Sequence, residues 1–343
     1  MKVLVCGSEG RIMSYVIPRL LSAGHSVIGV DNGQKWGTVK KYRGYELVNG
    51  DCRSAELLQP LMYRVDGVIQ AAATLYGVIG FHKYPADILG SDLEVQKNVL
   101  DCALKANVKR FVYISSSMVY DKSNHCSDLD NELGLPVTDY GLSKLVCERL
   151  LAAYSRQHGL DYTVWRPFNA LDPDEQTEGE QGISHVIPDM LHRLIIEQQN
   201  PLEILGDGNQ VRCFCHIREI GEALADYSFD SRTKNGTFNL GRKEALTMKD
   251  LALRLYDKAC YYGLIETPSK LQFKSLPVPS TDVRERIGNF DKIKTHLGWE
   301  SNVCLDVMLD ECVKTYVSIK RPAFRTSSLS TANQIASFMI PQG

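Results

Sequence analysis

The sequence predicts an α/β protein, a doubly wound parallel sheet joined to a smaller α/β lobe, and three observations carry that reading. Short apolar runs alternate with helical patterns through the first half, the order of successive βαβ units. The first run ends in a glycine-rich turn that opens a helix, Gly7-Ser8-Glu9-Gly10-Arg11-Ile12-Met13. The 343 residues are 44% hydrophobic and 23% charged, which supplies a core and excludes collagen, coiled-coil and disordered chains.

Lys2 to Cys6 reads as the first strand and Ile12 to Ala23 as the first helix, with Pro18 inside it as a kink point. Ser26 to Val30, Glu46 to Asn49, Gly67 to Ala72, Lys109 to Ile114 and Tyr162 to Arg166 follow as strands. Helices over Leu93 to Ala106 and Gly141 to His158 separate the later ones. After Arg166 the acidic, polar run from Asp172 to Glu180 reads as a loop. We therefore divide the chain into residues 1–166, with returns near 209–242, and a second lobe made mainly of 167–343. That lobe holds a helix from His185 to Glu197, the turn Leu205-Gly206-Asp207-Gly208, a helix from Thr247 to Tyr262 and the segment Arg284 to Trp299. The Ser- and Thr-rich tail after Arg325 carries no motif, and there are no internal repeats.

The 39 basic and 41 acidic residues leave a net charge of −2, so a nucleic-acid partner is not expected. No stretch approaches the ~20 apolar residues that span a bilayer, and the first apolar run meets Gly7 too soon for a signal peptide. A membrane is not expected either. Ten cysteines without a regular framework fit a reducing, cytoplasmic setting. The close pair in Cys213-Phe214-Cys215-His216 lies in an alternating run from Val211 to Ile217. That run reads as a strand rather than a metal cluster, so no metal is expected.

The glycine turn has the context of a Rossmann-type phosphate loop. Gly7 permits the tight turn, and Gly10, with Arg11 and Ile12, lets a pyrophosphate approach backbone N–H groups at a helix N-terminus. The second strand ends in Val30-Asp31-Asn32, about 20 residues on, where a carboxylate can accept hydrogen bonds from an adenosine ribose. Its charge would repel a 2′-phosphate, so NAD is expected over NADP. Gly50-Asp51-Cys52 and Gln70-Ala71-Ala72-Ala73 end further strands on the same edge, and the small alanines let a cofactor lie against the backbone.

Tyr140-Gly141-Leu142-Ser143-Lys144 places a phenol and an ammonium at i and i+4 on one helix face, where the cation lowers the phenol's pKa. Upstream, Ser115-Ser116-Ser117 ends a strand with three hydroxyls able to hold a substrate oxygen.

With these motifs the sequence resembles the extended short-chain dehydrogenase/reductases, in their nucleotide-sugar epimerase/dehydratase branch, from Met1 to about Glu300. Further carriers are Arg166-Pro167-Phe168-Asn169, His185-Val186-Ile187-Pro188, Gly206-Asp207-Gly208 ahead of Arg212, and Arg284-Glu285-Arg286 ahead of Leu297-Gly298-Trp299. The resemblance implies that Tyr140 is the catalytic base and that Lys144 holds the nicotinamide ribose. It implies that Ser116, three residues before Val119-Tyr120, binds the hydroxyl being oxidised, and that Pro167 also lines the cofactor. For the other ligand, a nucleotide-diphosphate sugar, it implies contacts from Ser116, Ser117, Met118, Asn169, His185, Val186, Arg212, Arg284 and Arg286. Arginine forks suit a diphosphate. A homodimer through the helices near Leu93 to Ala106 and Gly141 to His158 is implied as well.

Three departures from the pattern are informative. Met13 stands where the loop's third glycine would be, so its bulk must be accommodated between helix and strand, or NAD binding weakens. Met118 stands where sugar 4,6-dehydratases and uronate decarboxylases carry a glutamate, and a thioether transfers no proton. The same slot is a cysteine in the GDP-mannose 3,5-epimerases, which Asp282-Val283-Arg284-Glu285-Arg286 otherwise resembles. Tyr84-Pro85-Ala86-Asp87 looks like the NADPH-dependent GDP-fucose synthases, against which Asp31 speaks. His82, Lys83 and His185 are candidates for ring acid and base. The expected function is an NAD-dependent epimerase of a nucleotide-diphosphate sugar acting through a transient keto-sugar. A 4,6-dehydratase, a keto-sugar reductase and a non-catalytic dinucleotide-binding relative are the alternatives.

Overall fold

The computed structural model describes residues 1–34, 44–74, 78–120, 126–128, 133–175, 177, 184–278 and 282–317. Part of the acidic run expected as a loop, and the whole Ser- and Thr-rich tail after Arg325, lie outside the described residues. The chain opens β1 (Lys2–Cys6), α1 (Met13–Ser22), β2 (Ser26–Asp31), β3 (Glu46–Asn49), α2 (Ala55–Met62) and β4 (Gly67–Gln70). It continues through α3 (Val78–Lys83), α4 (Pro85–Lys105), β5 (Arg110–Ile114), α5 (Asp139–His158) and β6 (Tyr162–Pro167). Beyond lie β7 (Ala170–Leu171), α6 (Val186–Leu191), β8 (Leu202–Leu205), β9 (Val211–Cys213), β10 (Cys215–His216) and α7 (Ile217–Tyr227). The remaining elements are β11 (Gly236–Leu240), β12 (Ala245–Thr247), α8 (Met248–Tyr261), β13 (Phe273–Leu276), β14 (Glu285–Arg286), α9 (Asp291–Leu297) and a helix over 305–317.

Seven strands form one sheet in the order β11-β6-β5-β4-β1-β2-β3, every neighbour parallel. The doubly wound fold class is therefore observed. Its strands read as unbroken apolar runs because helices cover both faces: Val3, Leu4, Val5 and Cys6 are fully buried. On one face Val16, Ile17 and Leu20 of α1 meet Ile220 and Leu224 of α7. On the other, Leu58 of α2, Val99 and Leu100 of α4 and Leu151 of α5 close the core. The chain runs outward from β1 through β3 and then returns to β4, so β1 and β4 flank a switch point at their C-terminal ends, where such sheets bind ligands. A separate apolar cluster, with Leu191, Leu202, Leu251, Leu255 and Met308, holds the smaller lobe together.

Several elements differ from the sequence reading. The strand expected over Gly67 to Ala72 stops at Gln70, whose side chain accepts the Ala72 N–H (3.0 Å) and donates to the Ala72 carbonyl (3.1 Å), turning the chain locally. The helix expected from Leu93 starts at Pro85, a residue suited to the first helical position. The helix expected over His185 to Glu197 gives way after Leu191 to a π-helical turn, His192–Ile196. The single strand expected over Val211 to Ile217 is two, because β9 pairs with β12 and β14 whereas β10 pairs with β7. There His216 caps α7, its Nδ1 accepting the Arg218 N–H at 3.0 Å. Helix α1 runs unbroken through Pro18, and Met13, 1% exposed, is accommodated in the core.

Beneath the sheet's C-terminal edge lies a buried charge network. Glu148 of α5 accepts two bonds from Arg166 of β6 (2.9 and 2.6 Å) and one from the Ser115 hydroxyl (2.5 Å). Arg166 also donates to the Tyr120 hydroxyl (2.7 Å), which donates to Asn239 of β11 (2.8 Å). Side chains of the ion pair are 7% and 8% exposed, so removing one partner leaves a buried charge. Glu148→Ala should destabilise the fold by about 3–5 kcal/mol, and urea unfolding with a midpoint near the parent's would contradict the network's role.

Candidate functional site

The glycine turn sits at the switch point. Gly7 has φ +77° and donates its N–H to the Val30 carbonyl at 2.8 Å. A Cβ there would lie 2.7 Å from the Ala72 nitrogen, so turn and β4 end approach as closely as backbone allows. Helix α1 begins directly after Gly10, Arg11 and Ile12, placing its positive dipole end at the cleft. At the end of β2, Asp31 accepts the Glu9 N–H through Oδ2 and the Gly33 N–H through Oδ1, both at 2.9 Å. Each oxygen keeps a lone pair for a ribose hydroxyl, and the carboxylate opposes a 2′-phosphate. Ala71, Ala72 and Ala73 form the facing wall without side-chain bulk. These residues fit NAD.

Other residues expected on this edge are placed differently. The Cys52 thiol points into the core, 5% exposed and hydrogen-bonded to Cys6, and its carbonyl accepts the Asn98 side-chain amide at 2.8 Å. Asp51 is clamped by Arg53, with Nη2 to Oδ2 at 2.6 Å. The Arg11 guanidinium is paired with Asp172. Asn32 is exposed and its side chain accepts the Gln34 N–H at 3.0 Å.

At the β5 end the three serines separate in role. Ser115 is committed to Glu148, and Ser117 is buried in a 3₁₀ turn, Ser117–Val119. Ser116 accepts the Met118 N–H at 3.1 Å and is hydrogen-bonded to the Tyr140 phenol. Thr138 caps α5 by accepting the Gly141 N–H at 3.1 Å. A Cβ on Gly141 would lie 2.3 Å from the Met118 carbonyl, so this glycine lets α5 reach the serine turn. Burial pushes the Tyr140 phenol up, while Lys144 and the Ser116 bond pull it down and Asp92 adds to the rise. Burial alone would lower the Lys144 ammonium, but Asp92 and then Tyr140 hold it above the ordinary lysine value. The Lys144 Nζ lies 5.5 Å from the Tyr140 ring centroid. Burial outweighs the cation, so the phenol stands above its ordinary value rather than below it as the i, i+4 spacing suggested; once ionised, joined to the Ser116 hydroxyl and backed by a retained ammonium, it is arranged to take a proton. Pro167, the last residue of β6, is buried on the same edge.

The lobe residues gather unequally. Register pairs Arg286 with Arg212, and the Arg286 Nη1 abuts the Met118 sulfur, bringing that arginine to the serine turn. Arg212 is held by Asp282 at 2.9 Å and Asn169 donates to the Cys213 carbonyl at 2.7 Å. Arg284, 59% exposed, instead pairs with Asp207 at the surface. His185, 63% exposed, faces Glu175 at 2.6 Å, and Val186 opens α6. His82 and Lys83 are exposed on α3.

Three residues at this site had escaped the sequence reading. Phe81 stacks on Tyr140 with centroids 4.7 Å apart and planes 6° from parallel, and no periodicity signalled it. Asp92 approaches Lys144 at 3.5 Å, one residue outside the expected helix. Glu148 continues the i, i+4 spacing of Tyr140 and Lys144, a signal that was there to use.

Residues 3–241 match the family model described as "NAD dependent epimerase/dehydratase family". The chain belongs to this family. As a member it is an NAD-dependent enzyme. It is 27% identical to a UDP-glucose 4-epimerase of Halalkalibacterium halodurans, covering 88% of this chain and 90% of that one. It is 26% identical to a probable GDP-L-fucose synthase of Oryza sativa subsp. japonica, covering 92% of each. Among solved structures, a UDP-glucose 4-epimerase of Thermotoga maritima with UDP-glucose superposes with a TM-score of 0.79 at 25% identity, over 93% of this chain and 99% of that one.

Asp31→Ala should weaken NAD on the order of tenfold, the loss of charge-assisted hydrogen bonds, and narrow its advantage over NADP. Fluorescence titration with both cofactors reads this, and an unchanged affinity ratio would place Asp31 outside the pocket.

Proposed function

We propose that this enzyme epimerises a nucleoside-diphosphate sugar at C4 through a transient 4-keto sugar. The observation that carries the proposal is the Ser116–Tyr140 hydrogen bond with Lys144 behind it and Met118 beside it. Tyr140 takes the proton of the C4 hydroxyl, Ser116 orients that oxygen, and Lys144 stabilises the phenolate. NAD, when bound, accepts the C4 hydride and gives it back. Tyr140 then returns the proton to the oxygen on the opposite configuration. Arg286 and Arg212 supply positive charge for the diphosphate, and Asn169 lies beside them. The UDP-glucose 4-epimerases among the relatives support this outcome.

Loss of water or carbon dioxide is the second reading, favoured by relatives named UDP-glucuronic acid decarboxylase. Met118 has no transferable proton for it. The test is a panel of nucleotide sugars followed by mass spectrometry and NMR in deuterated water. A product of unchanged mass, inverted at C4 and free of ring deuterium, is expected; a mass loss would overturn the reading. Tyr140→Phe should lower kcat by about 10²–10⁴-fold while NAD remains bound, and parent-like turnover would remove Tyr140 from the chemistry. Lys144→Ala should shift the acid limb of the pH–rate profile upward, because the phenol loses the cation that lowers its pKa.

The same reading makes the protein a homodimer paired through α4 and α5, whose outer faces carry exposed Val146 and half-buried Leu93, Leu142 and Leu150. Val146→Glu should shift the mass measured by light scattering toward the monomer. A cytoplasmic setting is supported by ten cysteines that are all free thiols.

A further inference from the structure

We propose that Asp92 is a positioning residue whose buried carboxylate fixes Lys144 and governs when the Tyr140–Lys144 pair gives up its proton; this rests on Tyr140 being the base. Asp92 lies on α4 and is 3% exposed. Its Oδ1 accepts the Thr74 N–H at 3.0 Å, and its Oδ2 accepts the Ser143 hydroxyl at 2.9 Å and lies 3.5 Å from Lys144 Nζ. Thr74 directly follows Ala71, Ala72 and Ala73, the wall of the cofactor cleft. One carboxylate therefore joins that wall to two residues of the catalytic helix.

A plain structural contact between α4 and α5 would need the hydrogen bonds but not the charge. The charge has its own consequence. The pair Tyr140–Lys144 has one proton to lose before it becomes phenolate and ammonium, and an adjacent anion delays that loss whichever partner carries the proton. The other groups around the pair offset one another or lack charge. From α5 Cys147 faces it as a neutral thiol, its pKa pushed up to about 11 by burial. Glu148 is spent on Arg166 of β6. From β5 comes the Tyr113 phenol, driven up by burial, from the serine turn the Ser116 hydroxyl, and from α3 the uncharged Phe81 ring. The Asp92 charge, with water nearly excluded, remains to set the balance.

Asp92→Asn separates charge from shape. Its Oδ1 still accepts the Thr74 N–H and its amide can donate to the Ser143 oxygen, whose hydroxyl is 2.9 Å from the Tyr140 carbonyl. The measurement is a tyrosinate absorbance titration of the full chain, with the curve of the matching Tyr140→Phe variant subtracted to isolate Tyr140. Asp92→Asn should move the Tyr140 midpoint down by about one pH unit, and the acid limb of kcat should move the same way. Ser143→Ala, which loses a bond but keeps the charge, should leave the midpoint in place. Asp92→Thr, smaller and neutral, replaces Asn should that variant not fold, with the same direction expected. A midpoint that stays or rises in the neutral variants would make Asp92 a purely structural hydrogen-bonding residue. If no sugar is isomerised by the parent, the functional reading fails while the titration still decides the role of Asp92.

Discussion

The buried pair of Glu148 and Arg166 is the constraint on which the site depends. A carboxylate and a guanidinium taken out of water repay their desolvation only with near-complete hydrogen bonding, and here the bonding partners are the site's own supports. Ser115 of the serine turn, Tyr120 beyond it and Asn239 of β11 are all held by this pair or by its neighbours. Helix α5 is thereby locked against three strands, and the Ser116–Tyr140 bond inherits that rigidity.

The same economy of parts operates at the cofactor end. Asp31 shapes the glycine turn through the Glu9 and Gly33 amides, and each of its oxygens keeps a lone pair beyond those bonds. The absence of a side chain on Gly7 brings the glycine turn against the Ala72 backbone, and the short side chains of Ala71 to Ala73 keep that wall of the cleft free of bulk. Family membership and physical fit agree on NAD for that cleft.

The smaller lobe brings charge to the serine turn from far along the chain. Arg286 touches Met118 across 168 residues of sequence, and Arg212 lies beside it only because β14 pairs with β9. Asp282 holds Arg212 in a defined place. Arg284, two residues before Arg286, is drawn instead to Asp207 at the surface, so neighbours in sequence serve different ends.

What the sequence by itself determined is what short-range patterns encode. The apolar strand runs, the glycine turn, the acid closing β2 and the Tyr140–Lys144 spacing each depend on residues a few positions apart, and each is legible there. Only the tertiary structure decided the partners of those residues. β11 joins the sheet through pairing with β6, α7 begins where a buried histidine caps it, and Phe81 covers the tyrosine from a short helix with no strong periodicity. Asp92 shows the reason most clearly. It is an ordinary acid on a helix until packing sets it against a serine 51 residues away and the lysine beside that serine. A charge acquires its meaning from what burial places within a few ångströms of it, and that distance is not written locally.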